Sequence, residues 1–123
     1  MHKTERARWS IAFHKAIVEI DERDDYPDTP EEVAKAYWDA RTAKNFEEMA
    51  VLWPGSATWN ESLKDEKPVQ YVFGRAKGDP VSGHVLVPYA AKEYYEKHGT
   101  HNLKMRLTTE KSSKGRYYIV SGN

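Results

Sequence analysis

Acid–base chemistry in this chain has few carriers. Asp39, His84 and His101 are the candidate general bases, and Tyr37, Tyr71 and Tyr89 are the candidate hydrogen-bond donors to a developing oxyanion. A general base needs a perturbed pKa and a position within reach of the proton it removes. Asp39 falls between the apolar stripes of its helix, which points it at solvent. His84 follows Gly83 at the start of a strand, where a surface or edge histidine is the plainer reading. His98 and His101 form H-x-x-H, a metal-pair spacing, but they flank a turn at Gly99 and no third ligand is near in sequence. Asp21 to Asp28 is rich in Asp yet lacks the central Gly and final Glu of a calcium loop. There is no Cys, which excludes disulfides and thiolate metal sites. No phosphate loop, nucleophile elbow or zinc motif is present. The catalytic residues are therefore unknown, no metal or cofactor is expected, and the balance leans away from an enzyme.

The aromatics offer a second kind of site. Tyr37, Trp38, Trp53, Trp59, Tyr71, Phe73 and Tyr89 are the candidate ligand-binding residues. Rings this large either fill a core or line a pocket for a small apolar or aromatic ligand.

Two helices carry the first of these residues. Thr29-Pro30-Glu31-Glu32 is a capping box with Pro at the first helical position. Val33, Ala36, Tyr37 and Ala40 follow at helical spacing. Asn45 and Glu48 repeat the cap, Phe46, Met49, Ala50 and Trp53 form a second apolar face, and Pro54-Gly55 ends it. A short third helix is expected within residues 56–66, with Thr58 and Glu61 as its cap. Upstream, residues 4–22 give a long amphipathic pattern through Trp9, Ala12, Phe13, Ala16, Ile17 and Ile20. Its basic residues come early and its acidic residues late, against the helix dipole, so packing must hold it. It is either docked on the domain or offered to a partner.

From Pro68 the period changes to two. Val69, Tyr71 and Phe73, then Val85, Val87 and Tyr89, then Leu103, Met105 and Leu107, then Tyr117 and Ile119 read as strands, with turns at residues 77–80 and 112–115. Tyr89 to His98 is ambiguous. Its composition favours a helix with Pro88 at the start and Gly99 as cap, but it also reads as a continued strand.

The bulk numbers fit one domain of 123 residues, divided into a helix and acidic connector over residues 1–28 and a main domain over residues 29–123. Hydrophobic residues make up only 39% and charged residues 31%, which implies a small core and a wet surface. Formal net charge is zero, which argues against general nucleic-acid binding. Acid and base are segregated, however. Glu19 to Glu32 holds eight acidic residues and one Arg; Lys92 to Arg116 holds seven Lys or Arg and three Glu. These are two solvated faces, or surfaces that meet within a chain or across a dimer. No apolar run approaches the ~20 residues of a membrane span. The expectation is a soluble, cytoplasmic protein without a membrane partner, a trimmed secretion leader aside.

Capped helices, a strand meander and a closing Gly-Arg-aromatic-aromatic-Ile strand resemble the nuclear-transport-factor-like superfamily, which includes the ketosteroid-isomerase-like proteins. The resemblance rests on TPEEVAKAYWDARTAKNFEEMAVLW and on LKMRLTTEKSSKGRYYIVSG, and it spans about residues 29–122. It implies an α+β fold in which N-terminal helices pack on a strongly curved antiparallel sheet, forming a cone. It also implies that Tyr89 to Lys97 is strand, with Pro88 at a bulge or edge, and that the protein is a homodimer through the outer sheet face. The helix of residues 4–22 is additional to that pattern. The function expected is a non-catalytic ligand-binding, protein-interaction or accessory module. The alternative, by analogy of fold, is a cofactor-independent isomerase or lyase acting on a small apolar substrate in the cone.

Overall fold

Pro30 opens the helix on which the molecule is assembled. The Thr29 hydroxyl accepts from the Glu32 backbone N–H at 3.1 Å, and the Glu32 carboxylate returns to the Asp28 N–H at 3.3 Å, one residue earlier than the sequence suggests. The computed structural model describes residues 3–98, 103 and 105–122, with side chains from Phe13 onward except Ala57, Thr58 and His98. The helices are α1 (Lys3–Glu22), α2 (Pro30–Thr42), α3 (Phe46–Leu52), α4 (Asn60–Leu63) and α5 (Lys92–His98), with a 3-10 segment over Pro54–Trp59. The strands are β1 (Tyr71–Phe73), β2 (Lys77–Gly78), β3 (Val85–Ala91), β4 (Met105–Lys111) and β5 (Tyr117–Gly122).

The turn between α2 and α3 has a definite cause. Lys44 takes φ +60°, and the Lys44 and Asn45 N–H groups donate to Arg41 and Ala40 carbonyls. This pattern usually recruits glycine. Here the lysine side chain offsets the strain, because its Nζ donates to the Leu63 and Glu66 carbonyls at 2.8 and 2.6 Å. Asn45 then caps α3 by accepting from Glu48 N–H. The cap at Thr29 gives a direct test: Thr29→Ala should lower the free energy of unfolding by about 1 kcal/mol. An unchanged denaturant midpoint would count against it.

The sheet is antiparallel throughout and does not close. Its order is β1-β3-β4-β5, with β2 also on β3. β1 and β2 lie end to end along one edge of β3: Tyr71 faces Ala91 and Phe73 faces Tyr89, while Lys77 faces Leu86 and Gly78 faces Val85. Between them the ladder fails at Pro88. The Gly74 N–H donates to the Pro88 carbonyl at 2.8 Å, but Pro88 has no N–H to return. Pro88 is thus not on an edge, but a bulge does lie opposite it: residues 74–76 face only Val87 and Pro88, so the register shifts by one between β1 and β2. It sits inside β3, with Arg106 of β4 across from it, and the interruption falls on its neighbour instead.

The strand expected over Tyr89–Lys97 holds only to Ala91; Lys92–His98 is helix α5. The last rung is Lys92 N–H to Gln70 carbonyl, and the partner segment then runs out at Pro68. Without a partner the local helix preference of Lys92-Glu93 and their neighbours prevails. Other boundaries move less. The short third helix is split into the 3-10 segment and α4, with Trp59 rather than Thr58 at the cap position and no side-chain cap. Leu103 lies outside β4. The turn after β2 covers Asp79 to Gly83, where Gly83 has φ +74°. β5 slips register at Val120, between its pairs with Thr109 and Thr108; Tyr118 and Ile119 precede the slip on opposite faces, and both are buried, Tyr118 with Phe13 of α1 against it.

α2 and α3 cover one face of the sheet. Val33, Tyr37, Met49, Leu52, Val87, Leu107 and Ile119 are fully buried between them. Close approach constrains one residue there. A Cβ at Gly122 would lie 2.8 Å from Leu107 Cδ2 and 3.1 Å from the Trp53 ring, so any larger residue at the end of β5 would have to displace the Leu107 side chain. α1 belongs to the same core through Ile20, and Phe13 meets Tyr118 edge-on at 6.0 Å. The acidic connector and basic hairpin also meet within the chain. Asp21 accepts from Ser112 and Ser113, Lys114 Nζ reaches the Asp21 carbonyl, and Arg116 donates to the Ile20 and Arg23 carbonyls. No described helix is long and apolar enough to cross a membrane.

Candidate functional site

All seven aromatic candidates fall into one continuous chain of ring contacts. Trp59 meets Trp53 edge-on at 4.6 Å, Trp53 meets Tyr37 at 5.2 Å, and Tyr37 meets Trp38 at 5.4 Å. Trp38 stacks on Tyr71 at 4.2 Å and 23°, and Tyr89 touches Trp38, Tyr71 and Phe73. Spacing explains the convergence. Tyr37 and Trp38 are adjacent on α2, so they diverge by about 100° and reach both the core and its flank. Tyr71 and Phe73 point the same way from β1 and stand beside Tyr89 on β3.

The seven do different work. Tyr37, Trp53 and Tyr89 are buried core. Trp59 is 38% exposed at the far end of the chain of rings. Trp38, Tyr71 and Phe73 line an open groove of about 650 Å³ between the outer flank of α2 and the edge strand. Lys35, Asp39 and Thr42 form its helical wall, residues 68–73 its strand wall, and Lys92 closes one end. Of the polar wall only Asp39 was singled out from sequence, and as a base candidate. The wall's signal was present, since Lys35, Asp39 and Thr42 recur at i, i+4 and i+7 on the side of α2 beside Trp38.

A clamp behind the groove sets the position of the edge strand. Arg41 forms two hydrogen bonds to Glu66, at 2.6 and 2.7 Å, and its guanidinium lies 4.4 Å over the Trp38 ring. With Lys44 on the Leu63 and Glu66 carbonyls, two cations from α2 and the turn after it hold the segment that leads into Pro68. The Arg41 hydrogen bonds keep the Glu66 carboxyl below its usual range, against the opposing effect of burial. A depressed folded-state pKa contributes stability that is complete above the unfolded value of about 4.3 and is lost as pH falls through the folded value. The acid limb of a stability–pH profile should therefore be shallower in Glu66→Gln than in the parent. Parallel profiles from pH 6 to pH 3 would contradict this.

Burial raises the pKa of Tyr37, Tyr71 and Tyr89, so these phenols stay protonated donors at neutral pH. The Tyr37 hydroxyl is buried beside Arg41 and Ser56 without a well-formed hydrogen bond, and the Trp38 indole N–H is likewise buried without one.

The base candidates are not beside these rings in a productive form. Asp39 is exposed on the rim of the groove. His84 precedes β3 at the end away from β1, where its Nε2 is 2.7 Å from Glu110 Oε1. Glu110 also accepts from the Tyr118 hydroxyl at 3.0 Å, and burial, then the carboxylate, pushes that phenol up to about 12. His101 and the side chain of His98 lie outside the described residues. Among the described residues the only buried polar or charged side chains are Ser56 and Thr109, and no three His, Asp or Glu gather closely enough to hold a metal ion. Comparison with protein-family models, curated proteins and solved structures finds no significant match.

Proposed function

We propose that this chain is a non-catalytic binding domain of nuclear-transport-factor-like build, and that its ligand is a small apolar or aromatic molecule held in the groove between α2 and β1. The observation that carries this reading is the division of labour among the rings. The helix-covered face of the sheet is filled by Tyr37 packing on Trp53 and by the buried Tyr89, so the interior offers a core and not a reaction chamber. Of the rings left accessible, Trp59 stands apart at the far end, and the Trp38–Tyr71 stack with Phe73 beside it lines a groove whose size suits a small ligand. The order of elements supports the build: capped helices first, then the β3–β4–β5 meander under them. In this reading the sheet wraps α2 as an open cone.

A flat apolar ligand gains from burial against the ring faces and from stacking. Lys35, Asp39 and Lys92 select its polar substituents at the rim. The test is a thermal-shift series with indole, 1-naphthol and cyclohexanol. Indole and naphthol should raise the melting temperature in a saturable way, and Tyr71→Ala should weaken their binding about tenfold by removing the stacking partner. Melting temperatures that stay flat for every aromatic probe at millimolar concentration would sink the reading.

A further inference from the structure

A second groove lies on the opposite face of the sheet, and its origin is the missing donor of Pro88. Because the ladder breaks there, residues 74–76 leave the strand path between β1 and β2. The Ala76 N–H is taken up by the Glu31 carboxylate of α2 at 3.0 Å. Leu86, Pro88 and Arg106 alternate with the buried Val87, Tyr89 and Leu107, so they face away from the core. Together with Leu103 and the 74–80 segment they enclose about 580 Å³. The floor is apolar, made by Leu86, Pro88 and Leu103. It closes tightly over Gly74, where an added Cβ would lie 2.7 Å from Leu103 Cδ1 and 2.9 Å from Pro88 Cγ.

The rim is cationic. Arg75 and Lys77 are exposed and form no ion pair among the described residues, and Arg106 stands on the opposite wall. The one acidic residue in the lining, Asp79, is committed to its own turn. Its two oxygens accept from the Val81 N–H at 3.0 Å and the Ser82 hydroxyl at 2.8 Å. Positive charge over an apolar floor is complementary to one chemistry. A neutral apolar molecule leaves the rim unused, and a compact inorganic anion leaves the floor wet.

We propose that this groove binds a small amphipathic carboxylate, with its alkyl or ring body on Leu86, Pro88 and Leu103 and its carboxylate between Arg75 and Lys77. The site is separate from the α2–β1 groove and does not depend on it.

The experiment is a ¹H–¹⁵N NMR titration of the intact chain with octanoate, and in parallel with octanol. Octanoate should give saturable shifts at the Gly74, Lys77, Gly78 and Leu86 amides, with octanol at least tenfold weaker. The double variant Arg75→Gln/Lys77→Gln replaces exposed side chains, so it should keep its melting temperature and bind octanoate at least tenfold more weakly. Equal affinity for octanol and octanoate would overturn the proposal. So would an unaffected double variant, or shifts confined to Lys35, Trp38 and residues 69–73. Shifts of the same four amides that depend on protein concentration without octanoate would mean that a second copy covers the groove, and would also overturn it.

Discussion

Tyr37→Ala is expected to lower the free energy of unfolding by about 4 kcal/mol, a large share of the 5–15 kcal/mol typical of a small domain. Tyr37 is 0% exposed and is the largest fully buried side chain among the described residues. Its ring touches both Trp38 and Trp53, so truncation opens a cavity at the point where the chain of rings passes from core to groove. Tyr37→Phe separates the ring from the hydroxyl. The hydroxyl is buried without a good partner, so its removal should leave stability unchanged or raise it by up to about 1 kcal/mol. Urea denaturation of both variants measures the pair. A Phe variant destabilised as much as the Ala variant would show that the hydroxyl, not the ring, holds this position.

Arg116→Met should cost about 3 kcal/mol, through two carbonyls left without their charged donor. Arg116 Nη1 donates to the Ile20 carbonyl at 2.6 Å and also to the Arg23 carbonyl, which closes the C-terminal end of α1. The guanidinium favours that end of the helix dipole and supplies the basic group that α1 lacks in its last turn. It also sits 5.9 Å over Tyr26, whose hydroxyl reaches the Tyr117 carbonyl. One side chain therefore fastens α1, the connector and β5 together. Hydrogen exchange provides the readout. Amides in the last two turns of α1 should lose protection in Arg116→Met while those of β3 and β4 keep theirs, apart from the global loss. Arg116→Lys should recover only part, since one ammonium cannot present the same planar fork to two carbonyls. Unchanged α1 protection would remove Arg116 from this role.

Legibility followed locality. α2 and α3 were readable because their caps, Thr29 and Asn45, and their apolar faces are encoded within a few residues of each other. The strands and the 112–115 turn were readable for the same reason, with Gly115 at φ +78° supplying the turn, whereas the α+β class and the antiparallel sheet came through the resemblance. What failed depended on partners distant in sequence. Lys92–His98 reads either way from its own residues, and the resemblance tips it to strand; the end of its neighbour at Pro68 decides otherwise. The break between β1 and β2 is written in Pro88, not in residues 74–76 themselves. The register slip in β5 carries no local signature in YYIVSG.

The candidate site divides in the same way. Large rings were identifiable one by one, and their union in one contact chain follows from the α2–β1–β3 arrangement. Helical spacing already put Tyr37 in the stripe with Val33, Ala36 and Ala40 and left Trp38 off it. That a groove opens beside Trp38 was not legible, because it depends on where β1 runs along α2. The charge segregation left open whether the acidic connector and the basic hairpin are separate solvated faces or meet, and it did not indicate the chemistry of their meeting. That meeting runs through Ser112, Ser113 and backbone carbonyls more than through carboxylate–ammonium pairs.

The binding role assigned to the α2–β1 groove is tested most directly by a ¹H–¹⁵N NMR titration with indole that follows the Trp38 indole N–H. The account predicts saturable shifts of that resonance and of the amides of Lys35, Asp39 and residues 69–73, with Gly74, Lys77, Gly78 and Leu86 changing little. Shifts scattered over the surface, or centred on Trp59 while the Trp38 resonance stays fixed at saturating indole, would contradict it.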